Sequence, residues 1–93
     1  MGIPNFNNVL SVTASAAENI KEALSTLGPV RLQEDSHGSL ELIISDDTFE
    51  DDIELESLGV SIVAQSSLVA MYDFIDVDYK EDEGGGRFLI TAE

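Results

Sequence analysis

No cysteine occurs in these 93 residues, which excludes disulfide stapling, thiolate catalysis and ligation of soft metals by sulfur. Stability must come from packing. Cations are nearly as scarce: Lys21, Arg31, Lys80 and Arg87 face nineteen Asp and Glu, giving a formal net charge of -15. That field repels phosphate backbones and anionic lipid surfaces, so neither nucleic acid nor a membrane is an expected partner. No run approaches the roughly 18 apolar residues of a membrane span. Met1 to Asn8 also lacks the basic start and apolar centre of a secretory signal. Cytoplasmic residence is the expectation.

What is present suits one folded domain. The chain is 43% hydrophobic and 25% charged, ordinary values for a globular protein and enough for one core. Met1 to Asn8, with Gly2, Pro4 and three Asn, reads as a flexible leader on which only Phe6 has a reason to dock. Residues 9–93 read as the domain. The acidic excess is chiefly a solubility device, and it makes a basic protein surface or a cation the natural electrostatic partner.

Val9 to Val12 is short enough for a strand. Ser15 and Glu18 have the spacing of a capping box, with Thr13 an alternative cap. A helix over 15–26 follows, with Ala17, Ile20, Leu24 and Leu27 inward and Gly28-Pro29 as its stop. The period then falls to two. Val30 and Leu32 oppose Arg31 and Gln33, a polar turn covers 34–38, and Leu40, Leu42 and Ile44 resume the alternation, predicting two antiparallel strands. Ser45 to Asp52 is an acidic connection that Phe49 can anchor by burying its ring. Turn chemistry at Leu58-Gly59 joins two further strands as a hairpin.

Ser66 or Ser67 caps a second, shorter helix carrying Leu68, Met71 and Tyr72 on one face. Ile75, Val77 and Tyr79 then alternate inward against Asp76, Asp78 and Lys80, and Phe88 and Ile90 line a last strand. The class is α+β: a mixed or antiparallel β-sandwich of about seven short strands with two helices.

The chemistry-bearing residues are few. His37 lies beside Asp35 and Ser36, but neighbours in an extended turn point apart, so a hydrolytic triad is not expected. An exposed turn histidine is the simpler reading. The weak metal candidates are His37 with Asp35 or Glu34, and the loop acids Asp46, Asp47, Glu50, Asp51 and Asp52, whose oxygens suit hard cations. Asp76, Asp78, Glu81, Asp82 and Glu83 fail as a calcium loop because Lys80 takes a ligand position and the sixth place lacks glycine. Gly84 to Gly86 is followed by a strand and not by a helix with lysine, so it reads as a flexible hairpin tip, not a phosphate cradle. Arg87 is expected to pair with a nearby carboxylate.

The ordered set Leu10-Ser11-Val12-Thr13, Ala16-Ala17 with Ile20, Val30-Arg31-Leu32, Gly59 to Val63, Ser67-Leu68, Ile75 to Tyr79 and Gly86-Arg87-Phe88 resembles the HesB-like, A-type iron-sulfur carrier family. The resemblance runs over about residues 9 to 90. It implies a HesB-like (IscA-like) sandwich. Cluster-carrying members use one cysteine in a glycine-rich turn after the second strand and a Cys-Gly-Cys motif in the tail. The first maps to Ser36, His37 and Gly38; the second would lie beyond Ile90, where Thr91, Ala92 and Glu93 stand. One hydroxyl or imidazole does not replace three thiolates. The resemblance is therefore to a cysteine-free member.

Three expectations follow. The first is a noncatalytic accessory protein without a cofactor, a monomer or weak homodimer, acting through protein interaction in or near iron-sulfur or sulfur metabolism. The second is a hard-cation, iron-binding protein using the acidic loops. An enzyme has the least support, because no nucleophile-base pair, phosphate motif or metal triad occurs.

Overall fold

The alternating segments form seven strands in a computed structural model that describes residues 9–93. The expectations for 1–8, including docking of Phe6, lie outside the described residues. The strands are β1 (Leu10–Val12), β2 (Val30–Glu34), β3 (Leu40–Ile44), β4 (Asp52–Ser57), β5 (Val60–Gln65), β6 (Ile75–Asp82) and β7 (Gly85–Ala92). They make two mixed sheets, ordered β1-β6-β7 and β3-β2-β5-β4. The parallel pairs are β1 with β6 and β2 with β5; the three hairpin pairs are antiparallel. The α+β sandwich of about seven short strands read from the sequence is the architecture that forms. No helix among the described residues is long and apolar enough to cross a membrane.

The strand pattern supplies the core. Val30, Leu32, Leu55, Val60, Ile62, Ile75 and Val77 are buried with Ile20 and Val69. Each such side chain contributes about 1.5–3 kcal/mol when fully removed from water. The sheets are also tied through a polar contact, Val12 N–H donating to the Ser57 hydroxyl at 3.2 Å.

The first helical region departs from its predicted form. It runs from α1 (Ala14–Asn19) through a π-helical turn (Ile20–Leu24) into α2 (Ser25–Leu27). Its cap is Thr13, not Ser15. The Thr13 N–H still bonds Val77 as a continuation of the β1–β6 ladder, so the chain is extended up to that residue, and its hydroxyl accepts from Ala16 N–H at 3.2 Å. The wider π turn rotates everything after it. Leu24 stays against the core, whereas Leu27, predicted inward, is 72% exposed.

The second region, α3 (Ser66–Val69), is a single turn. Val69 fills the core, and Met71, predicted to share a helical face with Leu68 and Tyr72, points out at 64% exposure because the helix ends before reaching it. The hairpin at Leu58-Gly59 forms as expected, with both residues in the left-handed region at φ 51° and 76°, as a two-residue turn of this twist requires.

The last hairpin is more regular than its glycines suggest. Pairing continues to Asp82 opposite Gly85, so only Glu83 and Gly84 turn, and the three-glycine tip is largely strand. Gly86 is needed for close approach: a Cβ there would overlap the Tyr79 hydroxyl oxygen. The Tyr79 ring lies across β7 and meets Phe88 edge-on, with centroids 5.0 Å apart. Arg87 faces Lys80 across the ladder, and among the described residues it has no carboxylate partner, contrary to expectation.

Candidate functional site

The side of the four-stranded sheet opposite the core carries the charge. Strand alternation and register place Glu41, Gln33, Arg31, Val63, Ser61, Asp52, Glu54 and Glu56 on that face. In the sequence Arg31 reads as a solvent-facing residue beside Gln33. It is 3% exposed, because the 45–51 loop folds back over it.

Arg31 is the pin of that loop. Its Nη2 donates to the Asp47 carbonyl at 2.9 Å and to Asp52 Oδ2 at 2.5 Å, and the guanidinium sits 4.9 Å from the Phe49 ring centre. Phe49 thus anchors the loop by stacking on a cation, with half its surface still exposed, and not by burying its ring. Asp52 Oδ2 also accepts from Phe49 N–H at 2.9 Å. The Arg31 bond, followed by that amide, holds the Asp52 carboxyl below the usual carboxylate range. Arg31 Nε and Asp52 Oδ1 are buried without a partner, so the pin is incompletely satisfied.

Asp51 works on the other side of the loop. Its carboxylate accepts from Ser67 N–H at 3.0 Å, the Ser67 hydroxyl at 2.8 Å and Gln65 Nε2 at 3.1 Å, while its carbonyl accepts from Ser66 N–H. These bonds, the Ser67 amide foremost, lower its pKa to about 2. The cap of α3 is therefore a residue fifteen positions upstream of the helix start by the Ser66 contact, and not Ser66 or Ser67. Only tertiary contact could reveal it.

The remaining predicted metal residues are scattered. Asp35 Oδ1 accepts from the His37 and Ser39 amides at 2.7 and 3.0 Å, closing the β2–β3 turn. Glu34, His37, Asp46, Asp47 and Glu50 are exposed, and no three His, Asp or Glu side chains converge among the described residues. The Ser36-His37-Gly38 turn offers one hydroxyl and one imidazole and no thiolate, a donor set that does not fit an iron-sulfur cluster. On the second acidic stretch, Asp78 accepts from the Thr13 hydroxyl at 2.9 Å, which with the Tyr79 amide lowers its pKa. Lys80 pairs with Asp78 at 3.3 Å.

The arrangement leaves an acidic face. Glu54 and Glu56 project from β4, share the Ser61 hydroxyl at 3.5 Å each, and stand beside a loop bearing Asp46, Asp47 and Glu50. Among the described residues the cation on this face, Arg31, is buried beneath the loop, so the charged groups that solvent meets there are carboxylates.

No family model and no curated protein matches the chain. Solved structures do. Escherichia coli SufA, involved in biosynthesis of iron-sulfur clusters, is 20% identical over 99% of this chain and 97% of its own, with a TM-score of 0.76. IscA, solved with a [2Fe-2S] cluster, is 18% identical over 90% of this chain and 85% of its own, with a TM-score of 0.66. A protein from Aquifex aeolicus is 23% identical over 98% of each chain, with a TM-score of 0.65. The resemblance read from the sequence is thereby shown in three dimensions: this cysteine-free chain has the fold of SufA and IscA.

Proposed function

We infer that this chain is a noncatalytic accessory protein, cytoplasmic and monomeric or weakly dimeric, that offers its acidic face to a basic patch on a protein partner in or near iron-sulfur metabolism. The observation that carries the reading is the pairing of a SufA-like fold with a donor set lacking thiolate and a face whose cation, among the described residues, is buried. The involvement of SufA in biosynthesis of iron-sulfur clusters and the [2Fe-2S] cluster held by IscA support the metabolic setting. Opposite charge favours fast, selective encounter with a basic partner and disfavours nucleic acid and anionic lipid.

The test is retention of partners on the immobilised protein under rising salt. Complexes formed through this face dissociate by about 0.5 M salt, where the screening length falls to a few ångströms, and the double variant E54Q/E56Q retains less protein at every step. Complexes indifferent to both salt and the double variant would sink the reading. Anaerobic incubation with ferrous iron and sulfide should leave the visible spectrum flat; a stable cluster band would overturn the cluster-free part.

A further inference from the structure

β2 and β5 run parallel yet pair at one position, Arg31 with Val63. Beyond it, β2 remains bonded to β3 through Glu34, β5 remains bonded to β4 through Gln65, and the chain turns directly into α3. An open groove of about 460 Å³ results, with Leu32, Gln33 and Glu34 on one wall and Gln65, Leu68 and Met71 on the other. Leu32 is buried at its base, and Met71 stands largely exposed on its rim, an unbranched thioether that adapts to what it touches.

The charge of the groove has one sign. Glu34 is the acid in its lining, Ser67 at its edge carries the Asp51 carboxylate, and none of the four cations lines it. Diverging strand ends also present side chains with a period of two, the spacing that an extended segment matches. We propose that this groove binds an extended basic segment of a partner protein, with a Lys or Arg on Glu34 and an apolar side chain against Leu68 and Met71. The proposal rests on the reading above and adds a specific seat at the end of the sheet, beside a face that otherwise attracts by charge alone.

Three fluorescein-labelled heptapeptides test it by anisotropy at about 150 mM salt: alternating Lys and Leu, alternating Lys and Ser, and alternating Glu and Leu. The Lys-Leu peptide binds about tenfold tighter than Lys-Ser, and Glu-Leu does not bind. M71S, at an exposed position, weakens Lys-Leu about fivefold and leaves Lys-Ser unchanged. E34Q weakens both basic peptides about two- to fivefold. Equal binding of the two basic peptides, binding of Glu-Leu, or an M71S protein with full Lys-Leu affinity would overturn the groove. The acidic face is judged separately: E54Q/E56Q lowers Lys-Ser binding if that face attracts cations, and unchanged Lys-Ser binding condemns the face and not the groove.

Discussion

The loop at 46–52 and the hairpin strand at 76–83 are both acidic, and in the sequence neither is distinguished from a solvated stretch of charge. Their construction is opposite. Up to Asp52, where β4 begins, the loop has no ladder of its own and is held by side chains: Arg31 beneath it, Asp51 bonded to the start of α3, Asp52 closing the ion pair. The hairpin is held by eight consecutive paired positions, and its acids mostly hang off the backbone. Substitutions of charge should therefore be costly in the loop and cheap in the hairpin, while the hairpin should be sensitive to backbone and packing.

The largest expected effect is at the pin. R31M removes two hydrogen bonds and the cation under Phe49, and leaves Asp52 beside apolar surface. The melting temperature should fall by about 10 °C or more, with faster amide exchange at Phe49 and Asp52. The double variant R31M/D52N should recover part of the loss, since it removes the unpaired charge. A single variant with unchanged Tm would break the comparison.

The hairpin's weak point is Gly86. In G86A the new methyl collides with the Tyr79 ring, so the ring must swing away from Phe88 or β7 must shift. A cost of about 1–3 kcal/mol follows, read by chemical denaturation. Y79L/G86A should be less affected than G86A alone, because the colliding ring is gone. Equal losses would show that the close approach is not what requires glycine.

Acid separates the regions next. Asp51, Asp52 and Asp78 all have lowered pKa values in the folded state. Their stabilisation is complete above the ordinary aspartate value and is lost as protons bind on the way down. For Asp51 the window runs from about 4 to about 2. Tm measured at fixed ionic strength should drop across that window. D51N should start lower at pH 6 and fall less steeply, with D78N nearer to wild type in slope. A D51N profile parallel to wild type would remove Asp51 as the source.

How much of this was legible in the sequence depends on how local the cause is. Alternation at Leu32, Ile62 and Val77 gave the strands, and Leu58-Gly59 gave a hairpin, because period and turn chemistry act between near neighbours. A 3.6-residue period predicts Leu27 inward and does not anticipate the π turn that rotates it out. Strand period puts Arg31 on the face opposite the core but does not report that a loop folds back over it. A signal existed: one arginine between Val30 and Leu32 in a chain with four cations, and one phenylalanine in an otherwise polar loop. The Asp51 cap and the Gly86 contact join elements far apart in sequence or opposite across a ladder, and side-chain identity alone does not pair them.

The smallest effect is the one that most directly checks the contrast. Lys80 and Asp78 also form an ion pair, at 3.3 Å, but the lysine side chain is 62% exposed. Water already solvates its ammonium, and a long flexible chain must be ordered to make the contact, so the two contributions nearly cancel. K80A should move Tm by less than about 2 °C, and about 0.5 M salt should erase even that difference. Arg31 and Lys80 are both cations beside aspartates in an acidic chain. If K80A destabilised as strongly as R31M, burial beneath the loop would no longer explain why one matters, and the hairpin acids would have to be treated as structural.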